Sequence, residues 1–137
     1  MPTLEQIRAT FAADRFATDA AGCEIRLAEP GHSVCAMTLR PHHLNAAGTP
    51  QGGAIFTLAD FAFAVAVNAF AETVTVSLQH DITFLSAARG TELIAEANCV
   101  RSGRSTCFYT VTVTDDLDTV IAEMTVNGFV TRKKIGE

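Results

Sequence analysis

The stretch Gly52–Phe70 reads Gly-Gly-Ala-Ile-Phe-Thr-Leu-Ala-Asp-Phe-Ala-Phe-Ala-Val-Ala-Val-Asn-Ala-Phe and carries one charge, Asp60, near its middle. A helix that is apolar nearly all round is built to be enclosed by protein. A carboxylate inside it must find partners or shift its pKa, or it destabilises the fold. The run approaches the ~20 residues of a membrane span. Asp60 at its centre would cost about 3 kcal/mol in lipid, and polar strand-forming sequence follows directly. The stretch therefore reads as the buried helix of a soluble fold, with no membrane partner.

Along this helix Gly53, Thr57, Asp60, Ala64 and Asn68 recur at helical spacing and form one narrow stripe of small or polar residues. Aromatic and aliphatic side chains fill the rest, so Asp60 looks out through a polar seam. Desolvation would raise its pKa and suit it to general-base work near neutral pH. The plainer alternative is a carboxylate hydrogen-bonded to backbone or to Thr57. Gln51-Gly52-Gly53 opens the helix. Unpaired N–H groups there suit an anion, or a carbonyl oxygen becoming one, although a Gly pair also serves simply to make a tight turn. Gly53 and Asp60 lie about 10 Å apart along the axis. One carbonyl carbon cannot sit within ~3 Å of both on a single helix. If both act on one substrate, the N–H groups come from a second copy of the chain, with the two helices antiparallel.

The flanking sequence supplies the rest of the fold. Thr3-Leu4-Glu5-Gln6 has the form of a capping box, and Leu4, Ile7 and Phe11 repeat at helical spacing, predicting a helix over Leu4–Ala13. Strands are expected at Cys23–Ala28 and Ser33–Arg40, parted by Pro30-Gly31, with a loop over His42–Gln51. From Thr73 the pattern is strand: Val74, Val76, Leu78, His80, Ile82 and Phe84 share one parity. Further strands are expected at Thr91–Arg101, Ser105–Thr114 and Thr119–Thr131, where Cys107, Tyr109, Val111 and Val113 alternate with threonines. Their short connections predict an antiparallel meander. One long helix with five or six such strands is an α+β fold in which the sheet curls around the helix. Nothing covers the helix's far side, so a partner subunit is expected there.

Composition bounds the function. The 137 residues, 48% of them hydrophobic, suit one domain over 1–137 with a real core. A net charge of −5 argues against nucleic acid as a partner. Six of the ten cations (Arg89, Arg101, Arg104, Arg132, Lys133, Lys134) follow residue 88, which leaves room for a local phosphate-binding spot. Cys23, Cys35, Cys99 and Cys107 have no zinc spacing and read as reduced thiols packed as small hydrophobes. His42, His43 and His80 do not read as a metal site, because adjacent histidines point apart and no acid has suitable spacing. No leader pattern opens the chain, so the cytoplasm is the expected location.

The motif His43-Leu44-Asn45-x-x-Gly48-x-x-Gln51-Gly52-Gly53-Ala54-x-Phe56-x-Leu58-Ala59-Asp60, with Asp81-Ile82-Thr83-Phe84-Leu85 after it, resembles the hotdog-fold acyl-CoA thioesterases of the phenylacetic-acid-degradation type. The likeness covers roughly residues 30–131. It implies that Asp60 acts as general base or nucleophile on the thioester. By the same likeness, the N–H of Gly52, given by the partner subunit, polarises the carbonyl, and Asn45 orients water or substrate. Ser77 matches a strand hydroxyl used by some members, and the hairpin of Arg101 and Arg104 matches a place that meets the coenzyme A phosphates. Gly53, Phe61 and Phe84 are expected to complete the substrate site. Where most relatives carry His before the Gly pair, this chain has Gln51, which donates and accepts but carries no proton at neutral pH. Ala64 stands where some relatives place Thr. The resulting expectation is an acyl-CoA thioesterase acting on a small or medium acyl group, aromatic ones included. It needs no cofactor or metal and works as a dimer or a homotetramer. The rival from another class is a non-catalytic acyl-CoA or acyl-carrier binding protein. A hotdog hydratase would need a His acting with Asp60, and none stands at the helix start.

Overall fold

Thr3 starts the first helix through the capping box that the sequence predicts. Its hydroxyl accepts the Gln6 N–H at 3.2 Å, and the Gln6 side chain accepts the Thr3 N–H at 2.8 Å. The computed structural model describes residues 1–136; Glu137 lies outside them. Helix α1 covers Leu4–Phe11, and one turn of π-helix follows at Phe16–Ala20. Strands β1 (Cys23–Glu29) and β2 (His32–Thr38) precede helix α2 (Gly52–Asn68). Strands β3 (Thr73–Phe84), β4 (Glu92–Ser102), β5 (Thr106–Asp115) and β6 (Val120–Lys134) complete the chain.

The six strands form one antiparallel sheet in the order β1-β2-β4-β5-β6-β3. This corrects the expected meander. β4, β5 and β6 do meander, but β3 pairs with β6 at the far edge and β2 takes the place beside β4. The link 85–91 therefore crosses three strand spacings, about 14 Å, which is within reach of its length at ~3.3 Å per residue. Short links do not force neighbouring strands.

The curved sheet wraps α2, which packs chiefly on β2 and β4 and also meets β1, β3, β5 and β6. Met37, Leu93, Val111, Val113, Met124 and Val126 meet Leu58, Phe61, Phe63 and Val65 in the core. Buried Ala95, Ala97 and Ala122 let the helix come close. At Gly128 a Cβ would stand 2.7 Å from Cys107 Sγ and 2.9 Å from Thr75 Cγ2, so no larger residue fits between β6 and α2 without a shift. One long helix held in a curved antiparallel sheet is the hotdog fold. The four cysteines are free, with Cys23, Cys35 and Cys107 buried. Burial pushes the Cys23 and Cys35 thiols up to about 12.

The parity expected for β3 holds only in part. The register against β6 shifts between Ser77 and Gln79, where Ser77 pairs with Gly128 and Gln79 with Asn127. That bulge reverses the alternation. Before it Thr75 is buried while Val76 is 43% exposed; after it His80 and Ile82 turn toward the helix. The end of α2 is tied to β3 by Asn68, whose amide oxygen accepts the Thr75 N–H at 2.8 Å and whose nitrogen donates to the Thr75 carbonyl at 3.2 Å.

A single buried carboxylate pins the crossing link. Asp115 accepts the N–H groups of Arg89 (2.8 Å), Gly90 (3.0 Å), Leu117 (3.0 Å) and Thr119 (2.8 Å). Burial opposes its charge, yet these four donors outweigh burial and hold the carboxyl well below the usual carboxylate range. Its folded value lies below its unfolded one, so its stabilisation is present at neutral pH and fades as pH falls below about 4. Asp115→Ala leaves the four donors unmet and should lower stability by about 3 kcal/mol or more in urea unfolding. It should also flatten the acid side of the stability profile.

Candidate active site

The sheet leaves one side of α2 open, and the stripe read from the sequence is that side. Gly53 is exposed, and Phe56, Thr57, Asp60, Ala64 and Asn68 are half-buried, whereas Ile55, Leu58, Ala59, Phe61 and Ala62 are buried. Thr57 donates its hydroxyl to the Gly53 carbonyl at 2.8 Å. It is therefore not the partner of Asp60.

That partner is His80, whose Nε2 lies 3.2 Å from Asp60 Oδ1. The carboxylate keeps 45% of its side-chain surface open, while the histidine side chain is 14% exposed. The His80 ring stands edge-on to Phe56 (centroids 4.9 Å apart, 76°) and to Phe63 (6.1 Å, 88°). Phe56 and Phe63 flank Asp60 on α2 by one turn each way. Burial pushes the Asp60 carboxyl above the usual range, His80 pulls the other way, and Asp14 adds to the rise. The raised carboxyl expected from the sequence is present, and the histidine beside it is a correction to that reading. The sequence carries a signal for it, since His80 shares the parity of Ile82 and Phe84.

At the helix start Gln51 acts as its own cap. Its side-chain oxygen accepts the Gly53 N–H at 2.5 Å, and its backbone carbonyl takes Ala54 and Ile55 at 2.9 and 3.2 Å. Among the described residues the Gly52 N–H has no acceptor. The two glycines thus differ: Gly53 is spent and Gly52 is free. Gly52 also faces Phe84, whose Cζ lies 3.2 Å from where a Cβ would stand. Asn45, Gly52, Ile55, Phe84 and Leu85 line a cavity of about 370 Å³. Asn45 shapes this wall by accepting from Ala47 N (2.9 Å), Thr49 N (3.2 Å) and the Thr49 hydroxyl (3.3 Å) with one oxygen. A second cavity, of about 540 Å³, lies on the other side of the helix start between Phe16, Leu44, Gln51 and Phe56. Asp60 lines neither.

The register spreads the remaining candidates along the sheet. Phe84 shares a row with Ala122, Val113 and Ala95; His80 shares one with Val126, Tyr109 and Cys99; Ser77 shares one with Gly128, Cys107 and Ser102. Gly52 and Asp60 thus sit at different heights of one protomer. Exposed Ser77 lies in the row of the β4–β5 hairpin, where Arg101 and Arg104 are exposed and have no ion pair among the described residues. Phe61 is not brought to this surface. It is 2% exposed and packs edge-on against Phe11 of α1 at 5.9 Å. His42 and His43 also differ from expectation. The 3₁₀ turn Pro41–His43 brings their rings to 4.2 Å rather than apart. His43 is buried between the Arg40 N–H and the Ala21 carbonyl. Among the described residues no three metal-ligating side chains gather, and no helix is long and apolar enough to cross a membrane.

Comparison with known proteins bears on the fold and the family. Human acyl-coenzyme A thioesterase 13 is 31% identical over 90 residues, which cover 64% of this chain and 64% of that one. A hypothetical thioesterase of Streptococcus pneumoniae, solved with coenzyme A, superposes with a TM-score of 0.81 at 28% identity, covering 90% of this chain and 98% of that one. The phenylacetic acid degradation protein of Thermus thermophilus gives a TM-score of 0.76 at 30% identity, covering 82% and 96%. The match spans 60–64% of the length of the curated relatives in Archaeoglobus fulgidus, Deinococcus radiodurans and human. The thioesterase superfamily model matches residues 47–122, more than half of the sequence, and the chain belongs to that superfamily.

Proposed function

We propose that the protein is an acyl-CoA thioesterase that hydrolyses a small or medium acyl thioester, aromatic ones included, to the free acid and coenzyme A. The observation that carries this reading is Asp60: a carboxylate raised by burial, on the one open stripe of an enclosed apolar helix. In the proposed reaction Asp60 takes a proton from water and the oxygen attacks the thioester carbonyl carbon. The developing oxyanion is held by the free Gly52 N–H of a second copy, because Gly52 and Asp60 lie about 12 Å apart along their own helix. The tetrahedral intermediate collapses, the C–S bond breaks, and the thiolate takes the proton back from Asp60. A direct attack by the carboxylate differs only in passing through an anhydride. Phe84 beside Gly52 supplies an apolar wall for the acyl group, and Arg101 and Arg104 are free to meet phosphates. A thioester is already activated, so no cofactor or metal is required.

The site then exists only in a dimer or a dimer of dimers, and the uncovered stripe of α2 is the face a second copy would close. One observation favours a second reading. The Asp60–His80 contact also suits addition of water across the double bond of an enoyl-CoA.

Thiol release from a panel of acyl-CoAs, with one enoyl-CoA included, tests these readings. Wild type should release thiol, and Asp60→Asn should lose about 10²–10⁴-fold in kcat. Loss of conjugation without thiol would favour the hydratase, and tight binding without either product would leave a binding protein. The acid limb of kcat should lie above the ~3.9 of an ordinary aspartate. Because the folded value is raised, the charge opposes folding at neutral pH, so Asp60→Asn should melt no lower than wild type. Gln51→Ala frees the Gly53 N–H and should cost about 1 kcal/mol in chemical unfolding. It should also lower kcat, as the loop that presents Gly52 loosens.

A further inference from the structure

The His80 imidazole sits against Asp60 under conditions that restrict what it can do. Its Nε2 faces Asp60 Oδ1 at 3.2 Å. Its Nδ1 is buried and has no hydrogen-bond partner among the described residues. The ring is held edge-on by Phe56 and Phe63, both carried by the helix that carries Asp60. A carboxylate oxygen accepts, so the proton of the neutral ring belongs on Nε2. A proton relay would have to load or empty Nδ1, and that atom is sealed inside the protomer, where a second copy cannot reach it. A histidine kept for stability would have both nitrogens satisfied, as His43 does. An apolar side chain would fill the slot between the two phenylalanines without leaving a nitrogen unmet.

We infer that His80 is the positioning residue of the reacting carboxylate: its Nε2 edge, 3.2 Å from Asp60 Oδ1, keeps that oxygen in place, so that the other oxygen is the one presented to water or substrate. This rests on the reading of Asp60 as the reacting group. The charged groups that bear on Asp60 are His80 from β3 and Asp14 from the turn after α1, and Asp14 stays in every variant below.

The test compares His80→Leu with His80→Gln, whose amide nitrogen reaches the place of Nε2. His80→Leu should lose roughly 100-fold in kcat with KM little changed, as for a misplaced catalytic group. Its acid limb should move to higher pH, because the carboxylate has lost the imidazole that pulls it down electrostatically. Its melting temperature should hold or rise, because the unmet nitrogen is gone. His80→Gln should recover most of kcat. Wild-type kcat and pH profile in His80→Leu, or failure of His80→Gln to recover beyond it, overturns the assignment. A second arm does not depend on turnover: ¹⁵N NMR of the wild type should show the Nε2–H tautomer of His80, disturbed by Asp60→Ala. A Nδ1–H tautomer, or no response to Asp60→Ala, overturns the pairing even if the enzyme is active. A wild type that shows the pairing but hydrolyses no acyl-CoA overturns the thioesterase reading instead.

Discussion

An apolar helix needs cover on every side, and a single sheet has only one concave face. That mismatch governs the rest of the molecule. β2 and β4 take the most apolar flank of α2, the alanines on β4 and β6 let it sink in, and Asp115 holds the link that closes the far edge. What remains partly uncovered is a strip centred on Gly53, Thr57, Asp60, Ala64 and Asn68, with Phe56 and Val67 at its edges. Small and polar residues run along its middle, where a large apolar side chain would be the most exposed to water. The same strip is the only place on the helix where a carboxylate can be half-dehydrated without being lost in the core.

Chemistry on this surface depends on which polar groups folding leaves unspent. Thr57 turns back onto the helix, Gln51 caps Gly53, Asn45 gathers its own loop, and Asn68 clamps β3. Each is spent on backbone groups of the fold itself. Among the described residues of this open face, the Gly52 N–H at one level and one oxygen of Asp60 at another escape this internal settlement. Their separation along a rigid helix is what makes the proposed site a shared one.

Much of this was legible in the sequence because it is periodic. The stripe on α2, the capping box of α1 and the alternation of β5 follow from spacing alone, and the strands lie within about three residues of expectation. Strand order was not legible. The rule that short links join neighbours fails for residues 85–91, whose course depends on backbone donors meeting Asp115 far along the chain. Gly52 and Asp60 could be singled out, but not the difference between Gly52 and Gly53, which rests on one side-chain rotamer of Gln51. His80 was hidden for a similar reason. A period of two shows which way a residue faces, not which residue waits there, and a bulge had shifted the phase just before it.

That bulge sets the register in which the second half of β3 meets β6. Side chains on a strand change face with every residue gained or lost. A one-residue slip of β3 against β6 beyond this bulge would carry His80, Ile82 and Phe84 together to the convex side. The helix would lose an aromatic wall, an aliphatic contact and the neighbour of its carboxylate in a single event. Insertions and deletions in descendants of this sequence should therefore collect in the loops around Pro30 and Gly48 and spare the middle of β3, where one extra residue is part of the architecture.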